Sequence, residues 1–444
     1  MPEIHCSENS MCDEKITITV TGLKPSKVYT INASTKIENG AKWVSFAQYK
    51  ANENGCIDVS NQESIGGSYL GVDSMGLFWS MKQSKTNKWP HKRFAKMDVT
   101  IPLEVTVCVY NIVLATESEL LQVKENAEDI QPFEVARKLI NRWYIAKDTK
   151  RIPLRGENGL WGCMFIPPGK GPFPSVIAMF GVYPVTTEFK AALLSSHGFV
   201  TIALRFLGEK GLPEVLPIDP QIGQIRLEYF EKAVDFLVNH PSVDASRGVG
   251  VITISYSTCI SLAMAEFIDK VKAVVWINGL LQPTLCDIFY KDKVLKHMEI
   301  DVYGALKNTY CRKYIHNMES EINAKGERAT KSGFRLNFQN RFDVAYMFVS
   351  GLDDKNSPSE HYLNYAEMLL KEAKHPNYHI YRYPGTGHLL ELPYGVHNEL
   401  TTMKGEQLLG WGGTAIPHCR SQEDTWLRQI TFLRENIGSV KAKF

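Results

Sequence analysis

The second part of this chain carries a rhythm that few folds can satisfy. From about residue 145, short apolar runs recur at SVIAMF (175–180), FVTIAL (199–204), GVGVITI (248–254), KAVVWI (272–277), VAYMFVSG (344–351) and YHIYRY (378–383). Helical segments separate most of them. In QIRLEYFEKAVDFLVNH, for example, Tyr229, Phe230, Ala233 and Leu237 share one helical face. Strands that are apolar throughout must be covered on both sides, so the pattern predicts a parallel sheet between layers of helix. The longer, more polar stretch from roughly 280 to 340 reads as a cap or insertion between strands.

Before residue 125 the period changes to two. Ile16, Ile18 and Val20 alternate with Lys15, Thr17 and Thr19, while Val99, Ile101, Leu103, Val105, Val107 and Val109 form one face of a long predicted strand. Turn signals at Gly22, Pro25, Asn39-Gly40 and Asn54-Gly55 break these runs, which predicts an antiparallel β-sandwich over residues 10–125. The charged stretch KENAEDIQ (124–131) reads as a connector, and an α/β domain follows over 145–440. A chain of 444 residues with 44% hydrophobic content can bury two such cores.

Several function classes fall away on composition. The 50 basic and 48 acidic residues leave a net charge of +2, no footprint for nucleic acid or an anionic membrane. Nine cysteines are scattered without a C-x-x-C pair, which favours a reducing compartment over a disulfide framework. The start, MPEIHCSENSMCDEKIT, lacks a signal-type apolar core, and no later run reaches the length of a membrane span. A soluble, intracellular protein is expected.

In a parallel sheet, ligands gather at the carboxyl edge of the strands. Ser255 stands there, directly after GVGVITI and before a helix carrying Ile260, Leu262, Ala263, Ala265 and Phe267. A serine on a sharp strand-to-helix turn presents its hydroxyl, and the helix N-terminus behind it favours developing negative charge. The usual signature of such a nucleophile elbow is G-x-S-x-G, whereas here Thr253 and Ser257 occupy both glycine positions. The plainer reading is that Ser255 or Ser257 caps the following helix.

Two further loops bear on that choice. After VAYMFVSG comes LDDKNSPSEHY, where Ser357, Pro358 and Glu360 look like a capping box and leave Asp353 and Asp354 in a short loop at the same edge. After YHIYRY comes PGTGHLLELPY, with His388 in a loop that Gly385 and Gly387 allow to run tightly. Singly these are a turn acid and a surface histidine. In the order Ser, Asp, His, each after its own strand, they match the chain order of a hydrolase triad on this kind of sheet.

Longer motifs point the same way. GSYLGVDSMGLFWSM (67–81), GCMFIPPGKGPFPSVIAMFG (162–181), GVGVITIS, VVWING (274–279), LDDKNSPSE and YPGTGHLLELPY together resemble the acyl-CoA thioesterases grouped with bile acid-CoA:amino acid N-acyltransferase, from about residue 15 onward. The resemblance implies an α/β-hydrolase domain preceded by a β-sandwich. It places the nucleophile on Ser255, the acid on Asp354 rather than Asp353, and the base on His388. The implied substrate is an acyl-CoA thioester, cleaved to a free carboxylic acid and coenzyme A without metal or cofactor. Where family members carry a glycine-rich oxyanion loop, this chain reads MFGVYPVTTE, with Val182, Tyr183, Pro184 and Val185. Its oxyanion donors are expected from Tyr256 N–H and the 181–183 region. Arg205 and Lys210 are the candidates to meet coenzyme A phosphates.

Two alternatives stand beside hydrolysis. Acyl transfer to an amino acid is one, although the family's conjugating enzyme resembles the thioesterases with cysteine at the nucleophile position, where this chain has Ser255; Cys259 lies a helical turn away. A catalytically impaired acyl-CoA-binding protein is the other. The ending Ala442-Lys443-Phe444 follows the small, basic, bulky-apolar order of a peroxisomal address, so a peroxisomal or cytoplasmic location is expected.

Overall fold

Each apolar run of the second half forms a strand. The computed structural model describes residues 1–126, 133–181, 187–214, 224–284, 286–297, 336–402 and 408–438. Eight strands build one sheet: β1 (Lys150–Arg155), β2 (Trp161–Ile166), β3 (Ser175–Phe180), β4 (Val200–Arg205), β5 (Val249–Ile254), β6 (Val271–Ile277), β7 (Ala345–Gly351) and β8 (Tyr378–Tyr383). Their order is β1-β2-β4-β3-β5-β6-β7-β8, antiparallel across β1-β2-β4 and parallel from β4 to β8. This is the sheet of an α/β hydrolase.

The helices are α1 (Glu188–Ser196), α2 (Leu227–Val238), α3 (Ser257–Phe267), α4 (Ser359–Glu372) and α5 (Ala415–Ile437). On α2, Leu227, Phe230, Ala233, Val234 and Leu237 are buried while Tyr229 is half-buried, which is the face the periodicity predicted. Gly250 in β5 leaves room for Leu433 and Ile437 of α5: a Cβ there would meet their side chains at 2.9 and 2.8 Å. One continuous core joins Ile177, Val251, Trp276 and Phe348 of the sheet with Leu262 of α3 and Leu363 of α4. Of the expected cap, Ile288–Tyr290 and Lys293–Leu295 pair into a small sheet with Ile225–Arg226. Its residues 298–335 lie outside the described residues.

The other unit comprises Met1–Tyr144 together with Leu392–Thr402. Its larger sheet is built on the hairpin Val28–Lys36 and Lys42–Lys50, extended through Leu103–Tyr110 to Glu134–Trp143. A smaller antiparallel sheet holds Glu3–His5, Thr19–Thr21 and Ile57–Asp58. The strand expected from Val99 starts only at Leu103. Pro102 has no N–H to give a ladder, and Asp98 Oδ1 draws Thr100 N–H into a turn at 2.9 Å, leaving Ile101 exposed. Helix Glu117–Asn126 takes up the first residues of the charged stretch, and 127–132 lie outside the described residues. So does the tail from 439 to 444.

Among the described residues, no helix is long and apolar enough to cross a membrane, and no cluster of His, Cys, Asp and Glu could hold a metal ion. The eight described cysteines are free thiols.

Candidate active site

The turn after β5 holds Ser255 at φ +65°, a left-handed conformation that a serine adopts only under constraint. The constraint is visible on both sides. Ser255 N–H donates to Ile277 O of β6 at 3.0 Å, and Ser255 O accepts from Thr258 N–H at 3.0 Å. The chain therefore leaves the sheet and enters α3 within two residues. The Ser255 side chain caps nothing: its Oγ lies 2.9 Å from His388 Nε2, and no side-chain cap bond opens α3.

The missing elbow glycines have a local solution. Thr253 and Ser257 are buried, and each hydroxyl finds a partner inside the turn. Thr253 Oγ1 pairs with Ser261 Oγ at 2.9 Å, and Ser257 Oγ donates to Ile254 O at 2.9 Å. Small hydroxyl side chains fit where glycine usually sits because both are satisfied there.

His388 is reached by a tight path. Gly385 takes φ +65°, and a Cβ on Gly387 would meet Gly412 O at 2.2 Å. The imidazole is 1% exposed, with Nδ1 2.8 Å from Asp354 Oδ2. Since a carboxylate only accepts, Nδ1 carries the proton and Nε2 is left to accept from the Ser255 hydroxyl. His418 of α5 brackets the loop, its Nδ1 accepting Gly387 N–H at 3.1 Å and its Nε2–H donating to Leu389 O at 2.9 Å. Trp411 stacks on the His388 ring, centroids 5.5 Å apart and planes 15° from parallel.

The two neighbouring acids part company. Asp354 is 1% exposed, and besides His388 it accepts from Asn356 N–H at 2.8 Å, Ser357 N–H at 2.9 Å and Ser359 Oγ at 2.7 Å. Asp353 points elsewhere, to Lys355 at 2.6 Å and Gly413 N–H at 2.9 Å. The expected capping box does not form: α4 begins at Ser359 with no side-chain cap, because Asp354 has already captured the amides ahead of it.

Other expected participants are placed as follows. Arg205 is tied into its own turn, donating to Leu207 O at 3.0 Å and pairing with Glu209 at 2.7 Å. Lys210 O accepts from Trp161 Nε1 at 3.3 Å. Of the expected oxyanion region, Gly181 N–H is engaged by Ile254 O at 3.0 Å, and residues 182–186 lie outside the described residues. Cys259 is fully buried; its thiol donates to Tyr256 O at 3.0 Å, and burial holds it well above the usual thiol range. A buried, protonated thiol is not a reactive one.

Sequence reasoning passed over Ser359, Trp411 and His418, which reach the site from α4, from the segment before α5 and from α5 itself. The serine had a local signal, since it stands five residues after Asp354 at the mouth of a helix. The other two had none.

Comparison with known proteins gives the same neighbourhood for both halves. Residues 13–156 match the "Acyl-CoA thioester hydrolase/BAAT N-terminal region" and residues 225–439 the "BAAT / Acyl-CoA thioester hydrolase C terminal" domain. The chain is 33% identical to mouse (Mus musculus) acyl-coenzyme A amino acid N-acyltransferase 2, over 97% of this chain and 96% of that one. It is equally 33% identical to human (Homo sapiens) bile acid-CoA:amino acid N-acyltransferase, with the same coverage. Mouse acyl-coenzyme A thioesterase 3 is 31% identical over 97% of this chain and 93% of its own.

Proposed function

This chain belongs to the acyl-CoA thioester hydrolase/BAAT family of enzymes, and we propose that it is an acyl-CoA thioesterase working through Ser255, His388 and Asp354. One observation carries the reading: His388 lies within hydrogen-bond distance of Ser255 Oγ on one side and Asp354 Oδ2 on the other.

In this mechanism His388 Nε2 takes the Ser255 proton as Oγ attacks the thioester carbonyl, and Asp354 holds the tautomer and offsets the imidazolium charge. Tyr256 N–H, at the start of α3, is the donor this mechanism assigns to the developing oxyanion. A single donor of that kind is worth about 10²–10³ in rate. The C–S bond breaks and coenzyme A leaves as thiolate, taking the proton from His388. A water deprotonated by His388 then attacks the acyl carbonyl, the C–Oγ bond breaks, His388 returns the proton to Ser255 Oγ, and the carboxylic acid is released.

Transfer to an amino acid shares the first half of this path and differs only in which nucleophile resolves the acyl-enzyme. The identity to N-acyltransferases makes that outcome worth reading in the same assay. Purified protein is given a chain-length panel of acyl-CoA thioesters, with and without glycine or taurine, and free thiol and acyl products are followed. Thiol release that yields free acid and is lost in Ser255→Ala is expected. N-acyl product in place of acid would make it a transferase, and release undiminished in Ser255→Ala would remove the serine from the mechanism.

A further inference from the structure

The end of β6 carries none of the three residues assigned to the reaction, yet it is bonded to all three of their loops. Ile277 O accepts Ser255 N–H at 3.0 Å. Asn278, fully buried, turns at φ +46° and spreads its amide between the other two loops. Its Oδ1 accepts Gly351 N–H at 2.7 Å, three residues before Asp354. Its Nδ2 donates to Gly387 O at 3.0 Å and to His388 O at 2.8 Å. Two residues on, Leu280 N–H donates to Thr258 Oγ1 at 2.8 Å, and that hydroxyl donates to Ser255 O at 2.6 Å.

We propose that Asn278 is a positioning residue that sets the distance between the loops bearing Asp354 and His388. The inference rests on the Ser255–His388–Asp354 reading. The amide matches its surroundings atom by atom, one acceptor facing an N–H and two donors facing two carbonyls. Aspartate has the same shape but would turn an oxygen toward Gly387 O and His388 O. Alanine leaves both carbonyls and Gly351 N–H without this partner. The loops have little other tolerance: a Cβ on Gly351 would meet Thr386 O at 2.5 Å and Gly387 O at 2.8 Å, so the backbones already touch. Asn suits the turn itself, since it enters the left-handed region more readily than other residues that carry a Cβ.

A structural role and a positioning role differ in what they move. The hydrogen bond from His388 Nδ1–H to Asp354 is expected to give a downfield proton resonance in the full-length protein, assigned by its loss in Asp354→Asn. In Asn278→Asp and Asn278→Ala that resonance should shift or disappear while circular dichroism and melting still report folded protein. Acyl-CoA hydrolysis should fall by about 10- to 100-fold in kcat with KM within about twofold, as expected when reacting groups are displaced by an ångström or less. A resonance unmoved in both variants overturns the proposal. So does loss of folded protein in both, which would assign Asn278 to folding alone. A wild-type protein that releases no thiol through Ser255 would refute the thioesterase reading instead, and the resonance would still report on Asn278.

Discussion

Ser359 Oγ donates, at 2.7 Å, to the same Asp354 oxygen that receives His388 Nδ1–H. The first residue of α4 thus helps aim Asp354 at His388. Ser359→Ala removes one charge-assisted bond from a buried carboxylate, a loss of about 1.5–3 kcal/mol in such settings. We expect kcat/KM for acyl-CoA hydrolysis to fall about tenfold while Asp354 still meets His388. A change below twofold would leave Ser359 to the helix alone.

The adjacent acids make a sharper comparison. Asp354→Asn keeps the shape but leaves His388 in the wrong tautomer, and turnover should drop on the order of 10³- to 10⁴-fold. Asp353→Asn loses a half-exposed pair with Lys355 and should change turnover by less than about threefold. Steady-state thiol release by the two variants decides between them, and equal losses would contradict the assignment.

Trp411 covers His388 with its ring and holds it with its backbone, Trp411 O accepting His388 N–H at 2.8 Å. Only the first contact is lost on substitution. Trp411→Ala should lower the melting temperature markedly, since burying a large aromatic contributes about 3–5 kcal/mol. It should also cut turnover about tenfold by opening the imidazole to water. Trp411→Phe, which keeps a stacking face, should recover most of the turnover.

Lys190 in the first turn of α1 is 8% exposed, and its Nζ has no hydrogen-bond partner among the described residues. Burial lowers its pKa from 10.5 to about 8, with Glu391 opposing the shift. The unfolded chain therefore holds this proton more tightly than the folded one, so stability rises as pH climbs from about 8 to 10.5. At pH 7, below both values, the full penalty applies, up to about 3 kcal/mol. Lys190→Met should raise the melting temperature at pH 7, and the gain should shrink at pH 9.5. A gain independent of pH would mean that packing, not charge, is the cause.

Much of the second unit is legible from single residues. Strands β3 to β7 fall within a residue or so of the apolar runs, because a strand buried on both faces has no polar position to blur its ends. The edge strand β8 follows its run as well, although its residues are half-buried or exposed. The edge strand β1, KRIPLR, is mostly exposed and carries no such signal. Chain order brought out His388 and an acid at Asp353 or Asp354 as well as Ser255, the family resemblance chose Asp354, and local sequence left Ser255 divided between capping and catalysis. The contact that turns the Ser255 side chain toward His388 and away from the helix spans 133 residues. Trp411, His418 and Asn278 act through contacts of the same long-range kind, which neither periodicity nor turn chemistry encodes. The capping box at Ser357 failed for a related reason: a carboxylate that also serves a distant histidine took its donors.

Four residues after His388, the chain enters the N-terminal unit, where Asn398 Oδ1 accepts Phe94 N–H at 2.9 Å and Thr402 N–H donates to His91 O at 2.8 Å. No single break in the chain separates the two units, since a cut at Tyr144 would leave Leu392–Thr402 on the wrong fragment. The N-terminal unit is therefore not a module that could be shuffled onto another hydrolase by joining ends. It is discontinuous in sequence, and a fragment that ends at Tyr144 lacks the piece, Leu392–Thr402, that completes it.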